Sequence, residues 1–356
     1  MNFTVNSQKL AVELRLLNRI VPSKPVIAIL SHVLMTAKDD LQLYVTDLEI
    51  GLRAQCAARV DVPGSIALPV AKILAMVEQF TDGDVNILLD KNHVFVKCGS
   101  FKARLQAMPV IDFPDAPQQE DILTSVFDME AFRKLIIRTR YAVHATGSRH
   151  VLHGALLTVS GPAAAMVATD GKRLALATTN SAGADLRIVI PAKALDIITS
   201  QIGEEIALRV GSKHLFFQIG KRVLNSRMID GVFPQYERIV PRNHDKTCQI
   251  DRLAFTSALR RVLIAAEENS AIYFAISSGI LELSSTSVEV GSADEIVPLS
   301  YEGPPLKICI NGKYVLDFLE VSTGNSIVFT LKDENSAALL TDGTDHIGVV
   351  MLMRDR

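Results

Sequence analysis

Several residue groups in this chain could in principle carry chemistry. Asp47, Asp170 and Asp230 each stand beside a turn or strand end. A carboxylate there could act as a general acid or base, but Asp is also favoured in turns because its side chain bonds its own backbone. His144, His150 and His153 are spaced by six and three in a segment running from a loop into a strand. That spacing does not bring three imidazoles onto one ion in any simple way, so no metal is expected and a polar loop is the expectation. Cys56, Cys98, Cys248 and Cys309 are scattered, with no CxxC pair. Reduced thiols and a cytoplasmic location are expected. A GxSxG elbow, a Walker loop, HExxH and a strand–helix GxGxxG are all missing, so neither an enzyme nor a cofactor is expected.

The stretch that holds attention is VATDGKRLALATT, residues 167–179. Asp170-Gly171 signals a tight turn, since Gly takes positive φ at little cost, and apolar alternation on both sides predicts two strands. Two cations, Lys172 and Arg173, and then a large apolar residue, Leu174, follow the bend at once. A solvated turn and a binding edge both fit.

The elements around it must come from 356 residues with 48% hydrophobic and 21% charged side chains and a net charge of −2. That suits a soluble globular chain of two or three domains, with no overall basic excess. The opening MNFTVNSQ lacks a basic n-region and an apolar h-region, so no signal peptide is expected. The uncharged run 151–169 contains a Ser160-Gly161-Pro162 breaker and predicts a β-hairpin rather than a membrane span.

The chain also repeats itself at about 120 residues. TDLEIG begins at Thr46, TDGKRL at Thr169 and TSVEVG at Thr286; MPVIDFP and MIDGVFP place Met108 and Met228, and Phe113 and Phe233, 120 apart. LPVAKILAMVEQF, IPAKALDIITSQI and INGKYVLDFLEVS begin at 68, 190 and 310. Three domains are expected, 1–122, 123–244 and 245–356. Within each, a short strand leads into an amphipathic helix whose buried stripe is Leu10/Leu14/Leu17, Phe132/Leu135/Ile136 or Phe255/Leu259/Val262. Strands and a second helix follow. The fold class is α+β, with helices on one face of antiparallel sheets.

Charge is unevenly placed. Segments 7–21, 129–141 and 252–266 carry Lys9, Arg15, Arg19, Arg133, Lys134, Arg138, Arg140, Arg252, Arg260 and Arg261 against Glu13 and Glu130 alone. That is ten cations against two acids, so the rest of the chain is net negative. Three matching basic helix faces would attract a polyanion through counterion release, without reading bases.

The stretches VATDGKRLAL, IPAK, DGVFPQYERIVP, NGKYVLDFL and VVMLMR, with the opening MNFTVNSQKL and SKPVIAILSHVLM, resemble the bacterial sliding clamps, the beta subunits of DNA polymerase III. The resemblance runs from end to end. It implies three clamp-type domains, a head-to-tail homodimer closed into a ring, helices inside and sheets outside, and duplex DNA encircled without sequence specificity. Such a protein is a processivity factor with no membrane association. It tethers the polymerase III alpha subunit, the clamp loader and repair polymerases through short linear peptides.

The resemblance also implies sites. The peptide pocket would comprise Leu152, Thr169, Gly171, Lys172, Arg173 and Leu174, then Pro234, Arg238 and Ile239, and finally Tyr314, Val349, Met351, Leu352, Met353 and Arg354. Arg173 and Arg238 would hold peptide carbonyls or an acidic side chain. Lys172 stands where the family commonly has His or an aromatic residue, Leu352 replaces a usual Pro, and the chain finishes in Asp355-Arg356. DNA contacts would fall at Lys24, Thr146, Arg149, His150 and Val151, with Arg133, Arg138 and Arg260 on the basic faces. For the dimer, Ala103 and Leu105 would meet Ile264 and Ala265 of a second copy. Two other classes stay open: a specialised paralogue or peptide-binding scaffold without a replication role, and a hydrolase using the acidic turns.

Overall fold

In the computed structural model, residues 1–22, 24–81, 83–91, 93–119, 124–144, 149–180 and 182–354 are described. The expected boundary at 122/123, Thr146 and the final Asp355-Arg356 lie outside them. Six α-helices occur among the described residues: α1 (Ser7–Asn18), α2 (Val70–Val77), α3 (Met129–Arg140), α4 (Ala192–Thr199), α5 (Arg252–Val262) and α6 (Gly312–Val321). The three expected stripes of α1, α3 and α5 are all buried. Each fully buried Leu or Phe in them contributes about 1.5–3 kcal/mol by leaving water. Side-chain caps set the starts: Asn6 accepts from the Lys9 amide, Asp251 from that of Ala254, and Asn311 from that of Tyr314.

Every strand pairing whose register is described is antiparallel, and the expected turns at 38–40 and 211–213 lie between paired strands, whereas residue 92 of the turn expected at 90–92 lies outside the described residues. The run 151–169 contributes the expected hairpin, strands Gly154–Ser160 and Ala163–Thr169.

Compactness divides the chain differently from the repeats. One unit holds Met1–Glu130 and Lys193–Met228; the other holds Ala131–Ala192 and Ile229–Arg356. The reason lies in strand pairing. In the first unit, strand Arg222–Arg227 pairs with Ile50–Cys56, setting Leu224 opposite Leu52, so strands from the first two repeats share one sheet. In the second, Arg173–Asn180 pairs with His346–Val350, setting Leu174 opposite Val349, and joins strands of the last two repeats in a thirteen-stranded sheet. One core of that unit gathers Phe255, Phe274, Phe318 and Phe329 under α5 and α6. A smaller cluster on the sheet includes Leu152, Leu174, Phe233, Tyr236 and Val349.

Candidate functional site

The bend at 170–172 is built by its own side chains. Asp170 Oδ1 accepts from the amides of Lys172 and Arg173, both at 2.9 Å. Thr169 Oγ1 accepts from the Gly171 amide at 3.1 Å and donates to the Arg173 carbonyl at 2.6 Å. Gly171 takes φ +89°, which a side chain would strain. Residues 46–50 repeat the device. Asp47 Oδ1 accepts from the Glu49 and Ile50 amides, Thr46 Oγ1 bonds the Leu48 amide and the Ile50 carbonyl, and Leu48 sits at φ +78°. The Thr-Asp pair therefore encodes a turn. Both carboxylates are spent on backbone and on cations: Asp47 meets Lys193, and Asp170 meets Arg173.

Arg173 requires a correction. Its expected role was to hold a ligand, but its side chain is only 12% exposed and each of its three nitrogens already donates one hydrogen bond within the protein. Nε donates to Asp170 Oδ2 at 3.1 Å, Nη2 to the Tyr141 carbonyl at 2.6 Å, and Nη1 to Asp317. The Tyr314 ring lies 4.3 Å from the guanidinium carbon and that of Tyr141 5.3 Å. Arg173 is a strut joining the hairpin tip, the end of α3 and α6. Lys172 is the exposed cation at the tip.

Around this tip the chain end crosses to an outer strand position of the same thirteen-stranded sheet. The Met351 amide donates to the Lys172 carbonyl at 2.9 Å, after which Leu352–Met353 pairs with strand Leu306–Asn311. Gly171, Arg238, Ile239, Met351 and Arg354 are exposed, whereas Pro234, Tyr314, Leu352 and Met353 are half-buried. Thr169, Leu152, Leu174 and Val349 are buried, Leu174 being only 2% exposed. The expected floor is thus packed by the protein itself, under Phe233 and Tyr236 of the segment 228–240. Apolar surface open to a ligand comes from Met351, Ile239 and also Val232, which sequence reasoning did not select. Tyr141 and Asp317 were missed too; nothing local marks either as a partner of Arg173.

The basic residues fare unequally. Lys24, Arg149 and His150 are exposed, and Val151 and Arg133 half-exposed. Arg138 is not on an open face: it is 3% exposed, and it pairs with Asp345 at 2.8 Å and Asp342 at 3.7 Å. This corrects its assignment as a phosphate contact, because a guanidinium neutralised inside the fold has no charge to offer outward. Beside it lies buried His346, stacked on Phe318 at 4.4 Å with Nε2 3.1 Å from the Arg138 carbonyl. Burial and the Arg138 charge push its pKa down to about 4. Arg15, Lys134, Arg260 and Arg261 are also ion-paired, with Glu78, Asp345, Glu320 and Glu295. At least five of the ten counted cations are therefore compensated from elements beyond their own helices.

At the expected dimer contact, Ala103 and Leu105 lie half-buried on strand Phe101–Gln106, the edge of its five-stranded sheet. Ile264 is 75% exposed, but Ala265 is 6% exposed and so offers little surface. Ile296 and Val290 are exposed near a second partly open edge, strand Gly291–Ser300.

The histidines come closer than their spacing suggested. The short turn His150–Leu152 folds back, and the rings of His144 and His150 lie 6.0 and 5.3 Å from that of His153. Among the described residues no group of three His, Cys, Asp or Glu is arranged to hold a metal ion. Burial pushes the Cys56 and Cys248 thiols up to about 11, away from nucleophilic thiolates.

Repeated strand–helix halves and interrepeat sheets with turn-built hairpin tips define a clamp-type chain. Family models of the DNA polymerase III beta subunit match it in order: the N-terminal domain over residues 1–117, the central domain over 127–235 and the C-terminal domain over 237–354. The beta sliding clamp of Pseudomonas aeruginosa is 31% identical over 367 residues, covering 99% of this chain and 100% of that protein. That of Caulobacter vibrioides is 31% identical over 362 residues, covering 97% of each. A crystal structure of the Pseudomonas aeruginosa clamp with ligand has a TM-score of 0.94 at 31% identity over the whole of both chains; another, with the same values, was determined bound to griselimycin. The chain belongs to the DNA polymerase III beta subunit family, the beta sliding clamps. It is a non-catalytic processivity clamp, which removes the hydrolase class.

Proposed function

We propose that two copies of this chain close head to tail around duplex DNA, and that the Thr169–Leu174 hairpin, the 228–240 segment and the chain end form the edge that receives partner peptides. The division 1–122, 123–244 and 245–356 is part of this proposal. The observation that carries closure is a pair of incomplete edges in the first and third repeats: Phe101–Gln106, and Gly291–Ser300 with exposed Ile264. Unpaired strand edges beside apolar surface favour association with another chain. The interface is accordingly drawn from Ala103, Leu105 and Ile264, and Ala265 supports Ile264 from beneath. Partners would be the polymerase III alpha subunit, the clamp loader and repair polymerases. No helix among the described residues is long and apolar enough to cross a membrane, and the proposed location is the cytoplasm.

Because at least five of the ten counted basic side chains are ion-paired, attraction to phosphates is modest and retention on DNA is topological. Linear duplex should bind weakly and lose affinity as salt rises, since exposed charges are screened. Clamps loaded on nicked circles should survive the same salt and escape once the circle is cut. Equal salt sensitivity on linear and loaded circular DNA would refute encirclement. Leu105→Lys with Ile264→Lys should give monomers by light scattering, because each places an unpaired charge in an apolar contact. A persisting dimer would refute the interface.

A further inference from the structure

One sheet face of the first unit carries a cleft of about 550 Å³ that the peptide edge at residues 169–174 does not include. Its back wall is the sheet formed by strands His32–Ala37, Leu41–Thr46, Ile50–Cys56 and Arg222–Arg227. Its roof is the segment 110–116, which crosses that face. Tyr44 and Phe113 meet edge to face in its apolar base, ring centroids 5.9 Å apart, beside Leu34.

The cleft occupies the position in the first unit that the smaller Leu174 cluster occupies in the second. Leu34, Tyr44 and Phe113 correspond in the repeat to Leu156, Val167 and Phe233 of that cluster. Gly51 opposite Asn225 replaces Leu174 opposite Val349. The substitution shapes the base, because a Cβ on Gly51 would lie 2.6 Å from the Tyr44 hydroxyl. Glycine admits the tyrosine ring where the second unit fills the space with leucine.

Charge at the mouth is asymmetric. Arg53 lies 5.8 Å from the Tyr44 ring centroid and reaches only the Pro117 carbonyl, at 3.5 Å. Among the described residues neither Arg53 nor Lys221 has a carboxylate partner, and both are exposed; Asp115 is the one acid among the lining residues. On the same segment as the roof but outside the lining, Ile111 is 92% exposed and Asp112 is exposed as well. An apolar base under two uncompensated cations fits a large apolar side chain flanked by carboxylates.

We propose that this cleft is a second peptide-binding site, selective for a short acidic segment with a central aromatic or large aliphatic residue. The inference rests on the peptide-binding reading of the Thr169–Leu174 hairpin only for the repeat analogy; base and charge are observed at the cleft itself. The test uses the full chain and two photoreactive tripeptides, acetyl-Glu-(benzoylphenylalanine)-Glu-amide and its bis-lysine counterpart, with cross-links mapped by mass spectrometry. The acidic peptide should label segment 108–117 and strands 41–56 at least fivefold more than the basic one. Lys221→Glu should lower that labelling about threefold and Arg53→Gln with Lys221→Glu about tenfold, while Leu174→Ala leaves it unchanged. Equal labelling by both peptides, labelling indifferent to Lys221→Glu in a folded variant, or competition by single-stranded oligonucleotide but not by unlabelled acidic peptide would overturn the proposal. Loss of labelling at residues 169–174 and 351–353 alone would count against the hairpin site and leave the cleft standing.

Discussion

Replacing Arg173 with alanine separates a strut from a ligand contact. The side chain bonds Asp170, Asp317 and the Tyr141 carbonyl, and its charge lies over the Tyr314 ring. Hydrogen bonds to charged groups contribute about 1.5–3 kcal/mol each, and a partly desolvated cation–π contact about 1–2 kcal/mol. These do not add fully. Asp317 keeps 24% of its side chain in water and can be rehydrated when the guanidinium goes, which places the loss at the lower end of the range for breaking a buried ion pair. The expected destabilisation is about 3 kcal/mol. Arg173→Lys keeps the charge but loses the fork that reaches three acceptors, and should cost about 1–2 kcal/mol. Urea unfolding would measure both, with hydrogen exchange at the amides of 169–174 reporting whether the tip loosens. Lys172→Ala, exposed beside it, serves as the control and should shift stability by less than about 0.5 kcal/mol. A folded Arg173→Ala protein with unchanged stability and exchange, but with peptide binding abolished, would refute the strut and restore the ligand role.

His346 gives a pH dependence of definite sign. The unfolded imidazole titrates near 6.5 and the folded one at about 4, so the unfolded chain binds the proton first and stability falls as pH drops from about 6.5 towards 4. The loss should approach about 3 kcal/mol and level off below about pH 4; His346→Phe, stacked on Phe318 beside Arg138, Asp342 and Asp345, should flatten that limb of a stability–pH curve. Leu48→Gly should stabilise by about 0.5–1 kcal/mol in urea unfolding, because exposed Leu48 holds φ +78° where the matching hairpin has Gly171; a loss of stability would mean the leucine makes contacts that outweigh the strain. In calorimetric titration with polymerase-derived peptides, Met353→Ala should cost about 1–3 kcal/mol of affinity and Lys172→Ala about 0–1 kcal/mol. Leu174→Ala should cost less affinity than Met353→Ala but lower stability by about 2–5 kcal/mol, since Leu174 is already core. Unchanged affinity in Met353→Ala would reduce the hairpin to a solvated turn.

The amino-acid sequence by itself determined what short-range physics controls. The stripes of α1, α3 and α5 follow from 3.6-residue periodicity, and their burial needs no knowledge of the partner surface. The tips at Thr46–Ile50 and Thr169–Arg173 are legible because Thr and Asp bond amides two and three residues away. The three-fold repeat is likewise written in spacing alone. Tertiary structure decided everything that depends on a partner remote in sequence. Arg138 and Arg173 look like surface cations among basic or turn residues, yet each finds carboxylates far along the chain, at Asp342, Asp345 and Asp317. His144, His150 and His153 approach one another only because the chain folds back at 150–152. Sheets join one repeat to the next, as Leu224 meets Leu52 and Leu174 meets Val349, so compact units and sequence repeats differ. The physical reason is common to all of these: periodicity and turn chemistry act over a few residues, whereas a charge's neutralisation and a strand's partner depend on which remote segment packs beside it.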